Sequence, residues 1–178
     1  MALADQPHEW GLGLQQAASP VMEDIRAMHN HLLLPIIFGI VIFVTVLLLY
    51  VMIRFNKRAN PVPSSFTHNT AIEVIWTVVP VLILVIIAIP SFKLLYKADH
   101  TDDPEMTLKV TSNQWYWSYS YPDNGDFSFD SNLLEGADLP QGALRLLTVD
   151  NKVVLPVDTN IRILLTSSDV LHNWTVPA

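Results

Sequence analysis

Two stretches of this chain carry no charge for long enough to cross a lipid bilayer, and they constrain its fold more than anything else in it. Leu32 to Ile53 runs 22 residues without an acid or a base. As an α-helix that stretch reaches about 33 Å, the thickness of a hydrocarbon core. Val74 to Phe92 is a second uncharged run, with Pro80 and Pro90 inside it. Proline is tolerated in membrane helices and is expected to kink this one. Two such runs in a chain of 178 residues argue against the alternative of soluble core helices. Upstream of the first run, Ser19-Pro20 offers an N-cap followed by proline at the first helical position. Glu23 and Asp24 then sit where the helix dipole favours negative charge. The first helix is expected from Pro20 to about Asn56. Thr70-Ala71-Ile72-Glu73 matches a capping box, so the second helix is expected to begin near Ala71.

The loop between the spans contains Arg54, Lys57 and Arg58 and no acid before Glu73. Basic loops stay on the cytoplasmic or matrix side. Both termini are then expected on the opposite, periplasmic or intermembrane-space side. In the first 31 residues Arg26 is the only basic residue, set against Asp5, Glu9, Glu23 and Asp24. That composition differs from a signal or transit peptide, so any targeting segment is expected to be already removed or not needed.

From Leu94 onward the composition changes. Twelve acids face five bases, a net charge of −7. Such a balance argues against nucleic-acid binding. The absence of cysteine excludes disulfides, iron–sulfur clusters and thiolate metal sites built from these residues alone. Thr107 to Tyr121 alternates, placing Trp115, Trp117, Tyr119 and Tyr121 on one face of a single long strand. Pro122-Asp123-Asn124-Gly125 is a turn signal. Leu144 to Val149, Val153 to Leu155 and Asn160 to Thr166 read as further short strands, and the pattern suggests a β-sandwich or small barrel. His8, His29, His31, His68 and His100 show no ligand spacing.

Four groups of residues carry a family resemblance. Arg54-Phe55-Asn56 leads to Asn69-Thr70-Ala71-Ile72-Glu73-Val74-Ile75-Trp76-Thr77. Gln114-Trp115-Tyr116-Trp117-Ser118-Tyr119 forms an aromatic box. Phe129-Asp130-Ser131 is followed by Val149-Asp150-Asn151. Asp169-Val170-Leu171-His172-Asn173-Trp174-Thr175-Val176-Pro177 closes the series. In this order, behind two membrane spans, they resemble subunit II of haem–copper cytochrome c oxidase, mitochondrial or alphaproteobacterial in flavour. Ser112-Asn113 and Ser120 depart from the Gly-His and Glu common in that family.

The resemblance implies a two-helix transmembrane hairpin followed by an all-β cupredoxin-like sandwich domain. The implied division is an extramembrane tail at 1–19, a hairpin at 20–93 with spans at about 32–53 and 74–92, and the β domain at 94–178. It further implies an electron-transfer subunit of a proton-translocating oxidoreductase, with no cofactor held beyond a dinuclear copper centre. Electrons pass from cytochrome c through that centre to catalytic subunit I, which alone holds the haems. Trp115 and Tyr116 correspond to the surface where electrons are received. His172 corresponds to the first copper ligand. Glu73 corresponds to the mouth of a proton path, alongside the capping role its sequence context gives it. The family's Cys-x-Glu-x-Cys-x-x-x-His-x-x-Met loop lies further downstream, beyond the six residues that follow His172 here. The expectation is therefore either a split subunit, with a second chain carrying that loop, or a piece of a longer chain. The acids Asp123, Asp126, Asp130 and Asp169 are candidates for a patch that steers basic cytochrome c. Trp117 reads as a core aromatic. The competing functions are a redox-silent structural subunit and a quinol-oxidase relative. The expected location is the mitochondrial inner membrane or a bacterial cytoplasmic membrane, in contact with lipid.

Overall fold

The computed structural model describes residues 9–178. Asp5, His8 and the rest of positions 1–8 of the expected tail lie outside the described residues. The chain divides into a helical unit ending at Asp99 and a β unit beginning at His100.

The helical unit opens with α1 (Pro20–Met28), capped by the Ser19 hydroxyl, which accepts the Met22 N–H with Pro20 in the first turn. A π-turn at His29–Leu33 joins it to α2 (Leu34–Arg54). The cause lies at Pro35: it has no N–H for the i−4 carbonyl, and its ring crowds that carbonyl. The wider π-type bond from Leu34 N–H to His29 O accommodates the break. The helix stops at Arg54 because Asn56 takes over the hydrogen bonding. Its amide donates to Ile53 O at 2.7 Å while its carbonyl oxygen accepts from the N–H groups of Arg58 and Ala59.

The second span, α3 (Thr70–Asp99), is helical without interruption through Pro80 and Pro90. Its cap corrects the expected capping box. Asn69, one residue earlier than Thr70, accepts the N–H groups of Ala71 (3.1 Å) and Ile72 (3.3 Å) through its side chain. Its backbone carbonyl accepts the Glu73 N–H. Asn is as good a cap as Thr and takes the position first. Glu73 is left in the first turn with no bond to the Thr70 backbone among the described residues. An ion pair between Lys97 and Asp24 ties the end of α3 to α1, so the outer ends of the two spans lie together. Both helices are long and apolar enough to cross a membrane.

The β unit is one four-stranded sheet in the order β3-β2-β1-β4. Its strands are β1 (Met106–Asn113), β2 (Tyr116–Tyr121), β3 (Phe127–Asn132) and β4 (Ile161–Ser167). β1–β2 and β2–β3 are antiparallel, and β4 pairs parallel to β1. The core lies on one face: Leu108, Val110, Tyr119 and Tyr121 are buried, with Trp117, Phe129, Val153, Leu155 and Trp174 against them. The turn after Tyr121 forms as its sequence predicts, a 3-10 turn at Pro122–Asn124 ending on Gly125 at φ 85°.

Three sequence expectations change here. The single strand from Thr107 to Tyr121 is two strands. β3, unassigned from sequence, pairs along β2. Leu144–Val149 and Val153–Leu155 are not ladder strands: Leu146 has φ 67°, which breaks an extended run, and only Val149 forms a bridge, to Leu133. Val154 is instead held by its backbone N–H and C=O, both bonded to the Tyr121 hydroxyl.

Candidate functional site

Sequence parity explains the aromatic turn. In β1 the core-facing residues are Leu108, Val110 and Ser112, all even-numbered; in β2 they are Trp117, Tyr119 and Tyr121, all odd. A strand cannot change parity without a slip or a reversal. The reversal falls at Gln114 and Trp115, because Asn113 pairs with Tyr116 across a two-residue loop. Trp115 is therefore not in line with Trp117 on one strand. It stands at the tip of a hairpin with 86% of its surface exposed, where an indole would otherwise be buried.

The loop after β4 folds back on that turn. The Asp169 carboxylate accepts the Gln114 backbone N–H at 2.6 Å on Oδ2. On Oδ1 it accepts the Val170 N–H at 2.6 Å and meets His172 Nε2 at 2.7 Å. These bonds, led by the one from His172, hold the Asp169 carboxyl below its ordinary value. The side chains of His172 and Asp169 are only 18% and 27% exposed. The His172 ring meets the Trp117 ring edge-on, with centroids 5.9 Å apart and planes at 66°. Ser112, Trp117, Thr166, Leu171, His172 and Trp174 line a cavity of about 160 Å³. Beneath it, Trp174 Nε1–H donates to the Tyr119 hydroxyl at 3.1 Å, and burial pushes the Tyr119 phenol above its ordinary value.

The structure thus gathers Gln114, Trp115, Trp117, Asp169 and His172 around one corner of the sheet. Sequence reasoning assigned Trp117 to the core alone and Asp169 to a docking patch. The signals that could have joined them to His172 are the i,i+3 spacing of Asp169 and His172 and the parity shift that puts Ser112 opposite Trp117. Tyr116 begins β2, next to Trp115.

The other acids do not gather there. Asp130 accepts from Ser118 Oγ at 2.6 Å and Asp126 from Ser120 Oγ at 3.4 Å, which places both along the β2–β3 hairpin. Asp123 accepts the Thr107 N–H at 2.7 Å at the start of β1. Each of the four docking candidates therefore already holds a local hydrogen bond. Glu73 belongs to the helical unit, in the first turn of α3. Of the remaining histidines, His68 stacks on Phe66 and His100 pairs with Asp102.

His172 presents Nδ1 as a metal donor, since Nε2 is engaged by Asp169. There is no thiol in the chain, and among the described residues no three metal-binding side chains cluster. One imidazole does not fit a copper pair, which needs soft bridging sulfur. The residues present supply one donor and not a complete site.

Comparison with known proteins covers both units. Residues 7–94 match the family model described as the cytochrome c oxidase subunit II transmembrane domain, and residues 106–178 match the model of its periplasmic domain. The chain is 47% identical over 175 residues to a probable cytochrome c oxidase subunit 2 of Rickettsia bellii, covering 98% of this chain and 65% of that one. It is 46% identical to cytochrome c oxidase subunit 2 of Oenothera berteroana, covering 100% of this chain and 71% of that one. It spans 55–65% of the length of the Rickettsia relatives. A solved structure of the periplasmic domain of cytochrome oxidase subunit II from Bradyrhizobium japonicum is 46% identical, with a TM-score of 0.39 over 44% of this chain and 53% of that one.

Proposed function

This chain belongs to the cytochrome c oxidase subunit II family, and from that premise we propose that it receives electrons from cytochrome c for a respiratory, proton-translocating oxidase. The observation that carries the reading is the placement of Trp115: a large indole held out at the tip of the β1–β2 hairpin, next to Gln114, whose N–H bonds the same Asp169 carboxylate that meets His172. A solvent-facing aromatic costs hydrophobic free energy and persists where a partner covers it. Tyr116 stands beside it as part of the same receiving surface. Asp123, Asp126, Asp130 and Asp169 give the β unit the negative potential that draws a basic protein in.

In this reading the α2–α3 hairpin sits in the mitochondrial inner membrane or a bacterial cytoplasmic membrane against lipid and catalytic subunit I. Both termini face the intermembrane space or periplasm, because the loop with Arg54, Lys57 and Arg58 stays inside. His172 would supply one nitrogen to a dinuclear copper centre, and that centre would supply one-electron redox chemistry. Its thiolates and other donors come from sequence outside these 178 residues. A search of every chain of the purified oxidase for the Cys-x-Glu-x-Cys-x-x-x-His-x-x-Met loop tells whether a second polypeptide brings them. Glu73, an ionisable residue in the first turn of α3, takes up protons in this reading at the mouth of a path into subunit I.

The test is Trp115→Ala in the assembled oxidase. Turnover with reduced cytochrome c is expected to fall by orders of magnitude while haem and copper contents stay normal. Near-normal turnover would sink the proposal.

A further inference from the structure

Where the first span leaves the membrane, four polar side chains share one cavity. The helical run from Pro20 to Arg54 is continuous, and its uncharged part begins at Leu32. At 1.5 Å of rise per residue, His31 and Asn30 lie about 1.5–3 Å outside that apolar part and Arg26 about 9 Å. The headgroup layer is roughly 5–8 Å thick on each side of the hydrocarbon core. Asn30 and His31 therefore stand inside it, and Arg26 meets it at its outer edge. Ala17, Glu23, Arg26, Ala27, Asn30 and His31 line a cavity of about 290 Å³, close to the lower end of small-ligand pockets. The two small alanines leave the room, and the polar residues surround it. Two features point to a ligand. Arg26 is half-buried, yet among the described residues neither it nor Glu23 has a hydrogen-bond or ion-pair partner for its side chain. The neighbouring acid, Asp24, does have one, in Lys97. The second feature is the π-turn. In a regular α-helix His31 would lie about 140° round from Arg26. The wider turn at His29–Leu33, where residues five apart are bonded, brings His31 to the same cavity. In that turn His29 Nδ1–H donates to Asn30 Oδ1 at 2.9 Å, so Asn30 offers the cavity its Nδ2 donors.

We infer that this cavity binds the headgroup of an ethanolamine-type phospholipid, with the phosphate held by Arg26, Asn30 and His31 and the primary ammonium held by Glu23. An arginine fork matches phosphate oxygens. Glu23 is nearly one turn further from the bilayer than Arg26, about 4.5 Å along the axis, on the side to which an amine extends from its phosphate. A primary ammonium donates up to three hydrogen bonds, which suits a lone carboxylate. A quaternary ammonium is recognised by an aromatic cage, and no Phe, Tyr or Trp is among the residues that line this cavity. An anionic headgroup leaves Glu23 unpaired beside a second negative charge. The site stands on the helical unit alone and does not depend on how electrons reach the β unit.

The test uses the assembled oxidase in bilayer discs made of equal parts phosphatidylethanolamine, phosphatidylcholine and phosphatidylglycerol. Lipids that stay bound after transfer to detergent are counted by mass spectrometry of the intact complex. Arg26→Gln is expected to hold phosphatidylethanolamine about tenfold or more weakly and to lose one copy per complex relative to wild type. Glu23→Gln keeps the phosphate contacts, so it is expected to retain a lipid there but to lose the preference, taking the three classes alike. The proposal is overturned if either variant keeps the wild-type count and mix of lipids. It is overturned equally if the copy lost from Arg26→Gln is phosphatidylglycerol, which would make the cavity a simple anion site. A parallel series adds an excess of inorganic phosphate. The retained lipid is expected to stay, and its release would overturn the lipid assignment in favour of a soluble phosphate. Should Arg26→Gln fail to assemble, Glu23→Gln decides alone, and an unchanged preference for phosphatidylethanolamine in it overturns the inference.

Discussion

In the helical unit, Met22 is the one buried residue among those described, while the β unit keeps Leu108, Val110, Tyr119 and Tyr121 away from solvent. Yet the helices hold the longer apolar runs. From Ile37 to Ile53 almost every side chain of α2 is large, apolar and exposed. The difference lies in what each unit is dissolved in. Lipid accepts an apolar side chain on any face of a helix, and the helix satisfies its own backbone. Water does not, so the sheet turns its apolar residues to one face and closes them with loops and Trp174. The same leucine therefore has two meanings in one chain.

Placing the same substitution in both units breaks that comparison most directly. Leu108→Ala removes a side chain with no exposed surface, leaves a cavity, and is expected to cost about 2–5 kcal/mol. Leu47→Ala, on the half-exposed face of α2, is expected to change assembly and thermal stability little. Thermal unfolding of the purified complex, followed for the β unit by tryptophan fluorescence, checks both. Equal losses would mean that α2 is packed as tightly as the sheet core.

Charge reverses the order. Leu47→Arg is expected to cost about 2.5–3.5 kcal/mol of membrane insertion, the penalty for an arginine at the centre of a span. Leu164→Arg, on an exposed position of β4, is expected to be tolerated. An insertion assay on the first and yield of assembled complex for the second read the outcomes. Easy insertion of Leu47→Arg would deny α2 its lipid-facing surface.

What could be read from sequence follows the same division. Each span was visible because insertion is a property of one segment: uncharged length and flanking bases decide it, and the structure adds only the π-turn at Pro35 and the shift of the cap to Asn69. The sheet was harder because strands are defined by their partners. β4 was found from its own pattern. β3 was missed, although Phe127 and Phe129 alternate with serine, because nothing local says that it lies along β2. The aromatic box looked like one strand because Trp115 continues the spacing of Trp117, and only the parity of Leu108 and Val110 across the turn betrays the reversal. Of the site, His172 and Trp115 were legible as motif residues. The bond from Gln114 N–H to Asp169 was not, since it joins positions 55 residues apart.

A smaller effect separates capping from proton uptake at the start of α3. Asn69→Ala removes the acceptor for Ala71 and Ile72 N–H and is expected to cost about 1 kcal/mol. Glu73→Gln removes a titratable group but no cap, since Glu73 makes no bond back to Thr70. Assembly is expected to be intact, with slower reduction of the catalytic haem. Haem reduction kinetics at wild-type speed in Glu73→Gln would remove the proton role and leave Glu73 as a charge at a helix N-terminus.

The smallest expected effect concerns the loop that clamps β3, and it explains what Val149-Asp150-Asn151 does. The Asp150 carboxylate accepts from Asn132 N–H at 2.7 Å, Asn132 Nδ2 at 2.9 Å and Asn151 N–H at 2.6 Å. Around it, Asn151 Nδ2 donates to Asp130 O and Ser131 Oγ to Asn151 O, so the loop follows the end of β3 bond by bond. The side-chain bond from Asn132, first among these, holds the Asp150 carboxyl below its ordinary 3.8. A carboxyl lowered in the folded state stabilises that state at pH values above its ordinary pKa, and the contribution disappears as pH falls through the folded value. Asp150→Asn keeps one acceptor and sets its amide against the Asn132 amide. The variant is therefore expected to be slightly less stable than the wild type near neutral pH, with the gap narrowing as pH drops below 3.8. Unfolding midpoints of both proteins, measured in parallel from pH 7 downward, give the result. Screening by solvent keeps the effect small, because Asp150 is exposed. A gap that stays constant with pH would show that the loop is held by hydrogen-bond geometry alone and that the charge of Asp150 adds nothing to it.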